Sequence, residues 1–275
     1  MPFAQINNKK LFYTDSHPEN ADTSLPTALF LHGLGSSSCF YATIIPSLKD
    51  AVRCLALDYP GSGLSELGTE ELSIESIARD ALSLLASLGV KEAVVVGHSM
   101  GGILASYLAS ADYHRVKAVV LLGPVDPAPN LADVFEKRIE TVKSNGLEAL
   151  ADSIPSAATG SASTPLHHAF IRSLILGTSE RGYIALCSLI ANAQKPDYAS
   201  VSVPLLILAG EDDKTSPLAG CEGILRAYGE PAASEGGRED KRLVVLKGVG
   251  HWHCVEDSEG VVRHLKGFLE SVSWS

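Results

Sequence analysis

The segment GHSMGG at 97–102 constrains the fold of this chain more than any other part of it. The run AVVVG that leads into it is short, apolar and β-branched, whereas GGILASYLASA after it has apolar residues at helical spacing. The chain therefore has to turn sharply from a strand into a helix at Ser99. Gly97 and Gly101 lack side chains, so the two backbone segments can approach closely. We expect this turn to lift the Ser99 hydroxyl out of the sheet, at the positive end of the helix.

Strand-like and helix-like segments alternate along most of the sequence. Short apolar runs predict buried strands at 27–31, 54–58, 93–97, 118–123, 204–210 and 242–248. Amphipathic spacing predicts helices at 74–89, 101–111 and 261–272. This alternation predicts an α/β fold with a mostly parallel central sheet flanked by helices on both faces.

The alternation breaks between residues 124 and 200. Helical patterns occur there at 131–154 and 167–193, but no convincing strand does. We therefore predict a helical cap at 124–200, inserted into one core that is formed by 1–123 and 201–275. The small and polar stretch at 229–242 is predicted to be a surface loop.

Charge and composition disfavour several functions. The net charge is −10 and no cluster of Lys and Arg is longer than a pair, which is unlike proteins that bind nucleic acids or anionic membranes. The N-terminal sequence lacks the order of a signal peptide, and no apolar run reaches the roughly eighteen residues of a membrane span, so we expect a cytoplasmic protein. Five scattered cysteines without a CxxC pair indicate free thiols.

A serine on such a turn becomes a nucleophile only with a base in reach and a carboxylate that orients the base. Both residue types follow later strands, at the carboxyl ends where the active-site groups of parallel sheets gather. The segment after 204–210 offers three acids: Glu211, Asp212 and Asp213. The segment after 242–248 offers two histidines: His251 and His253. The residues themselves leave the choice within each set open.

The early segment HGLG at 32–35 follows the first predicted strand directly. Its glycines allow the N–H of Leu34 to turn toward Ser99, while Met100 supplies a second N–H from the residue after the serine. Two such donors stabilise the oxyanion that forms when a carbonyl is attacked. We expect His32 to brace this loop. Four side chains are candidate pocket residues: His32, His98, Trp252 and His253.

In order and spacing, these motifs resemble the α/β-hydrolase family over nearly the whole chain. The segments that carry the resemblance are HGLG at 32–35, DYPGSG at 58–63, GHSMGG at 97–102, GEDDKTSP at 210–217 and GH at 250–251. A narrower similarity, to 3-oxoadipate enol-lactone hydrolases, lies in MPFAQINNKKLFY, RIETVKSNGLEALADSI and GYIALCSLIANA. At His32 and His98, however, the chain has the forms typical of esterases. The resemblance implies a serine hydrolase for a small ester or lactone.

The family pattern Gly-x-x-Asp-x-x-x-Pro selects Asp213 as the acid, with Asp212 as the alternative. The family histidine follows a glycine after the last strand, which selects His251 rather than His253. The resemblance thus implies a triad of Ser99, His251 and Asp213.

Other functions use the same fold and triad. They include a slow-turnover receptor or binding protein for a small lactone (a butenolide), a C–C bond hydrolase and an acyltransferase. A metal site with His251 and His253 on one strand face is disfavoured because no HxxxH pattern accompanies them. No nucleotide or cofactor motif is present in the sequence, so we expect neither a cofactor nor a metal. The expected partner is a small ester or lactone, and the oligomeric state is left open.

Overall fold

The computed structural model describes residues 3–18, 25–111, 114–229 and 241–274. Within these ranges the strands form one sheet in the order β1-β2-β4-β3-β5-β6-β7-β8. Their bounds are β1 Phe3–Ile6, β2 Lys9–Asp15, β3 Thr27–Leu31, β4 Arg53–Leu57, β5 Ala93–His98, β6 Val116–Leu122, β7 Leu205–Gly210 and β8 Lys241–Leu246. The strands from β4 to β8 in this order run parallel, and β1 and β2 are antiparallel additions at one edge.

The six predicted strands are β3 to β8, and each lies within two residues of its expected bounds. Every residue of β3, β4, β5 and β7 is buried. Burial on both faces explains why these segments are continuous apolar runs rather than alternating ones. The predicted fold class, an α/β-hydrolase fold with a mostly parallel sheet, is confirmed.

The β1–β2 hairpin was not predicted from the sequence. Phe3 pairs with Phe12 and Ile6 pairs with Lys9 across it. The turn between them uses Asn7 and Asn8, which have φ angles of 46° and 64°. Two successive positive φ values fit the tight hairpin turn whose twist matches that of the strands, and asparagine tolerates this conformation better than most residues.

Helices cover both faces of the sheet and fill the insertion. They are α1 Ile45–Leu48, α2 Ile74–Ser87, α3 Met100–Ala111, α4 Leu131–Asn145, α5 Glu148–Ala157, α6 Pro165–Leu176, α7 Glu180–Asn192, α8 Leu218–Ala227, α9 His253–Glu256 and α10 Ser258–Leu269. A 3-10 turn spans Ser38–Thr43 and another spans Tyr198–Ser200. The segment expected to be helical at 131–154 is divided into α4 and α5 at Gly146, whose φ of 71° ends the first helix.

The hydrophobic core consists of two layers, one on each face of the sheet. Alternate residues of the same strand enter different layers, because successive side chains point to opposite faces. Leu29 packs in the layer that contains Ile103 of α3, while Phe30 packs in the layer that contains Leu265 of α10. Helices α4 to α7 lie between β6 and β7, inside the region where the cap is predicted, and α4 packs on α7 and α5 on α6.

No single helix of the described ranges is long and apolar enough to cross a membrane. Helices α6 and α7 together pass that test of length and composition, with a bend of 94° between them. Of the predicted surface loop at 229–242, residues 230–240 lie outside the described ranges.

All five cysteines fall within the described ranges, and none of them forms a disulfide there. Cys39 is exposed and the other four are buried. Burial raises the pKa of the Cys54, Cys187 and Cys221 thiols to about 12. It also raises the pKa of Cys254 well above its ordinary value. The buried thiols are therefore protonated and packed as small apolar groups.

Candidate active site

Ser99 is the turn residue between β5, which ends at His98, and α3, which begins at Met100. Its φ of 55° lies in the left-handed region, which a serine rarely adopts. The Ser99 N–H donates to the carbonyl of Leu122 at 3.0 Å, and its own carbonyl accepts from Gly102 at 2.9 Å. Such strain costs about 1–3 kcal/mol and persists where surrounding contacts fix the conformation.

Glycines make this turn sterically feasible. A Cβ atom on Gly97 would collide with the backbone of Gly101, and one on Gly101 would collide with the carbonyl of Leu31. A Cβ on Gly33 would lie 2.7 Å from Nδ1 of His98 and 3.1 Å from Cβ of Ser99. The HGLG loop therefore runs directly beside the serine. Leu34 is half-buried in that loop, and Met100 is buried at the start of α3.

A chain of hydrogen bonds joins three residues that the sequence places far apart. Nε2 of His251 lies 2.9 Å from Oγ of Ser99, and Nδ1 of His251 lies 2.9 Å from Oδ2 of Asp213. All three residues are buried, with relative exposures of 5–7%. Because a carboxylate only accepts, Nδ1 carries a proton and Nε2 of the neutral ring is free to accept from the serine hydroxyl. This arrangement can move a proton from Ser99 to His251.

The second oxygen of Asp213 is held by backbone amides of the same loop. The N–H groups of Thr215 and Ser216 both donate to Oδ1 at 2.8 Å. Burial acts to raise the pKa of the Asp213 carboxyl, but the His251 and His253 rings and the Ser216 amide outweigh burial and hold the pKa below its ordinary value. Asp213 is therefore an anion that faces His251 at neutral pH.

The two other acids of this loop point elsewhere. Asp212 accepts a hydrogen bond from the N–H of Ser161 at 2.8 Å, and Glu211 accepts from the N–H of Gly248 at 2.9 Å. Both bonds lie at the surface. Neither side chain has a hydrogen bond to His251, so the structure brings only Asp213 to the serine and histidine.

Two further histidines hold the backbone of His251. Its carbonyl accepts from Nε2 of His98 at 2.7 Å and from Nδ1 of His253 at 2.9 Å. Burial lowers the pKa of His98 well below its ordinary value and lowers that of His253 to about 4. The ring of His98 also stacks on Phe40, with centroids 4.3 Å apart and planes at 22°.

His32 braces the HGLG loop. Its Nδ1 donates to the carbonyl of Gly33 at 2.7 Å, its Nε2 accepts from the N–H of Tyr59 at 3.2 Å, and its ring stacks on that of Tyr59. Burial lowers the pKa of His32, which fits a neutral ring that both donates and accepts. None of the four candidate pocket residues exposes more than 3% of its surface. These four side chains therefore pack behind the triad and do not line an open pocket.

Glu256 is a residue of this site that was not predicted from the sequence. Its Oε2 accepts from the N–H groups of Gly160 at 2.6 Å and Gly250 at 2.9 Å, and its Oε1 accepts from that of Trp252 at 2.9 Å. It thus holds the backbone on both sides of His251. No motif signals this role, because the partners are backbone amides of two separate loops.

The metal alternative placed His251 and His253 on one face of a strand. The structure corrects this placement, because both residues follow β8 and His253 begins α9. Across the described ranges, no three His, Cys, Asp or Glu side chains are grouped so that they could hold a metal ion.

Comparison with known proteins places the chain in a family. The model of the alpha/beta hydrolase family matches residues 28–264. The chain is 29% identical over 263 residues to "3-oxoadipate enol-lactonase 1" of Acinetobacter baylyi, which covers 93% of this chain and 91% of that protein. It is 26% identical to the "Non-heme haloperoxidase" of Rhodococcus erythropolis, over 98% of this chain and 100% of that protein.

Solved structures share the fold. The enol-lactonase from Burkholderia xenovorans superposes with a TM-score of 0.88 at 24% identity, covering 98% of this chain and all of that one. A thermophilic esterase from Thermogutta terrifontis superposes with a TM-score of 0.83 at 22% identity, covering 98% and 97%. With a family match over most of its length and the same fold, this chain belongs to the alpha/beta hydrolase family.

Proposed function

We propose that this protein is a serine hydrolase that cleaves a small carboxylic ester or lactone through an acyl-enzyme on Ser99. The observation that carries the proposal is the continuous hydrogen-bonded chain from Ser99 through His251 to Asp213. These three residues lie beside the HGLG loop, because a Cβ on Gly33 would lie 3.1 Å from Cβ of Ser99, and this closeness supports Leu34 as an oxyanion donor. Nucleophile, base, orienting acid and oxyanion loop together form the arrangement that acyl transfer requires.

In the first half-reaction, Oγ of Ser99 attacks the carbonyl carbon and its proton moves to Nε2 of His251. The carboxylate of Asp213 stabilises the resulting imidazolium through Nδ1–H. The N–H groups of Leu34 and Met100 donate to the oxyanion. When the tetrahedral intermediate collapses, the C–O bond to the leaving group breaks and His251 returns the proton to that oxygen. An ester loses an alcohol at this step, whereas a lactone opens and keeps its hydroxyl on the acyl group.

In the second half-reaction, His251 accepts a proton from water while the water oxygen attacks the acyl carbon. The ester bond to Ser99 then breaks, the serine oxygen takes the proton back from His251, and a carboxylic acid leaves. The same residues act in both halves, so a single variant at Ser99 should abolish both. No step uses a cofactor or a metal ion.

The proposed substrate class follows from the relatives and from the insertion. The relatives include "3-oxoadipate enol-lactonase 1", "Putative carbamate hydrolase RutD" and, by structure, a thermophilic esterase, beside the haloperoxidase named above. We propose that residues 124–200 form a cap over a core of 1–123 and 201–275, and that the cap shapes the substrate pocket. In support, a Cβ atom on Gly35 would lie 3.0 Å from Tyr183 and 3.3 Å from Ile175, so residues of α7 and α6 lie directly against the HGLG loop.

The test is steady-state hydrolysis of p-nitrophenyl acetate, p-nitrophenyl butyrate and an enol-lactone by wild type and Ser99→Ala. We expect multiple turnovers by wild type and a loss of on the order of 10⁴-fold or more in the variant. The faster of the two substrate classes identifies an esterase or a lactonase. A single burst without turnover would instead support the slow lactone receptor, and equal activity of wild type and variant would exclude Ser99 as the nucleophile.

A further inference from the structure

We propose that His98 and His253 are positioning residues that keep His251 at the reaction centre throughout the catalytic cycle, by donating two N–H hydrogen bonds to its backbone carbonyl. The inference rests on the proposed function, in which His251 is the base. In this proposal, two buried side chains fix the backbone of His251, which Ser99 and Asp213 do not contact through its carbonyl.

The geometry fixes the protonation of both rings. A carbonyl oxygen only accepts, so Nε2 of His98, at 2.7 Å, and Nδ1 of His253, at 2.9 Å, both carry protons. The second nitrogens, Nδ1 of His98 and Nε2 of His253, are buried and find no hydrogen-bond partner among the described residues. A proton on either of these nitrogens would be a buried donor without an acceptor, which favours neutral rings in opposite tautomers.

The surroundings also disfavour the charged forms. Burial, together with the neighbouring His251 ring, holds the pKa of each ring below its ordinary value. Asp213 opposes this effect at His253 but does not overcome it. Two neutral donors add no positive charge beside His251. They can therefore fix its position without hindering its own protonation during attack.

His98 precedes Ser99 in the chain, so the dipeptide is joined to His251 twice. One link is the reactive hydrogen bond between Ser99 and Nε2 of His251. The other is the static bond from His98 to the carbonyl of the same residue. After acylation, the serine oxygen has no proton to donate and the reactive link is lost. The static link remains, and His251 stays in place to activate water.

The ring of His98 is packed between Phe40 and the HGLG loop. Its ring stacks on Phe40, and its Nδ1 lies so close to Gly33 that a Cβ there would approach it to 2.7 Å. The ring therefore sets the spacing between the HGLG loop and the loop of His251. Displacement of a catalytic group by about 1 Å can reduce a rate by up to ~100-fold.

Amide side chains that resemble histidine in shape can test each of the two hydrogen bonds to the His251 carbonyl. The amide nitrogen of Gln can occupy the place of Nε2, and that of Asn the place of Nδ1. His98→Gln and His253→Asn should therefore keep the donors, whereas His98→Leu and His253→Leu remove them. His98→Asn and His253→Gln keep a polar side chain of similar size but place the donor nitrogen at the wrong distance. If a leucine variant fails to fold, these two variants still test whether the position of the donor matters.

The primary measurement is pre-steady-state release of p-nitrophenol, which separates acylation from deacylation. For the variants without a correctly placed donor we expect deacylation to slow by about 10–100-fold. A burst near one equivalent per active site should then appear. Because the acyl-enzyme accumulates, kcat and KM should fall together while kcat/KM changes little. The matched Gln and Asn variants should remain within about threefold of wild type in deacylation. Equal deacylation in the Leu and matched variants, or a change in KM alone, would overturn the proposal.

Two controls separate positioning from stability and from the proposed function. Tyr228→Phe removes the buried hydrogen bond to Ser106, so it should lower stability without slowing deacylation.

The proton NMR signal of the His251 Nδ1–H can be measured without any substrate. This signal should persist in His98→Gln and His253→Asn and broaden in the variants without a correctly placed donor. If wild type shows no turnover, the proposed function fails, and this signal still decides whether His98 and His253 hold His251 beside Asp213.

Discussion

The backbone N–H of His251 donates to the carbonyl of Ala158 at 2.8 Å, which ties the candidate base to the segment that follows α5. Glu256 strengthens this connection, since its carboxylate accepts from amides of both segments, Gly160 on one side and Gly250 and Trp252 on the other. The insertion and the loop of His251 are therefore one hydrogen-bonded unit. A displacement of either segment should move the other.

The first prediction concerns Glu256→Gln. The amide NH₂ would replace an oxygen that accepts from backbone N–H groups, leaving at least one donor unsatisfied at about 1–3 kcal/mol. We expect a lower free energy of unfolding and a lower kcat, measured by urea denaturation and p-nitrophenyl acetate hydrolysis. Asp212→Asn is the matched control, because the Asp212 carboxylate accepts from the surface amide of Ser161 and has no hydrogen bond to Gly250 or Trp252. Equal effects of the two variants would contradict the special role of Glu256.

The second prediction separates the adjacent acids. Asp213→Asn replaces the acceptor of the His251 Nδ1 proton with an amide, so the ring loses its orientation and kcat should fall by on the order of 10⁴-fold. Asp212→Asn should retain nearly the activity of wild type. The measurement is kcat/KM with p-nitrophenyl acetate, at matched concentrations of folded protein. A larger loss in Asp212→Asn would show that the acid is wrongly assigned.

The third prediction is a loss of stability in weak acid. His98 and His253 are neutral in the folded state because their pKa values are lowered, the latter to about 4. In the unfolded chain both titrate near 6.5, so the unfolded state binds more protons below that pH. The free energy of unfolding should therefore fall as the pH drops from about 6.5 toward 4, by up to about 1.4 kcal/mol per pH unit for each histidine.

Urea denaturation over this pH range measures the slope. The His253→Asn variant should show a shallower slope than wild type, since it removes one of the two groups. Above about pH 7.5, wild type and variant should have parallel profiles because neither state then protonates these rings. An unchanged slope in the variant would mean that His253 is not held neutral.

The fourth prediction tests the turn at Ser99. In Gly101→Ala, the new methyl group would collide with the carbonyl of Leu31, so α3 has to move away from β3. We expect a destabilisation of about 1–3 kcal/mol and a loss of activity. Gly267→Ala in α10 is the matched control, because no atom beyond the neighbouring backbone of its own helix lies within 4 Å of its added Cβ. That control should be stabilised by about 0.4–1 kcal/mol. Similar losses in both variants would argue against a specific close approach at Gly101.

The sequence predicted the central strands well because burial on both faces requires continuous apolar runs, as in Leu205–Gly210. It did not predict the edge hairpin, where Lys9 and Lys10 interrupt the apolar pattern and the turn of Asn7 and Asn8 is the only local signal. Helix α8 was also missed, since Gly220 and Gly223 weaken its helical propensity.

The predicted triad residues are found together because each follows a strand at the same edge of the sheet. The choice between Asp212 and Asp213 required the family pattern, since their opposite directions are set by the loop backbone. The contacts of His98, His253 and Glu256 could not be inferred, because they join side chains to backbone groups of distant loops. Residue type and spacing in the sequence do not indicate such contacts.

The distribution of thiols makes the protein suitable for site-specific labelling. Thiolate is the form that reacts with maleimides, and the raised pKa values of the four buried cysteines suppress it. Cys39, which is exposed, lies in the 3-10 turn Ser38–Thr43 just beyond the HGLG loop. A fluorophore added to the native sequence should therefore attach at this one position, and its emission would follow the loop during turnover without an engineered cysteine.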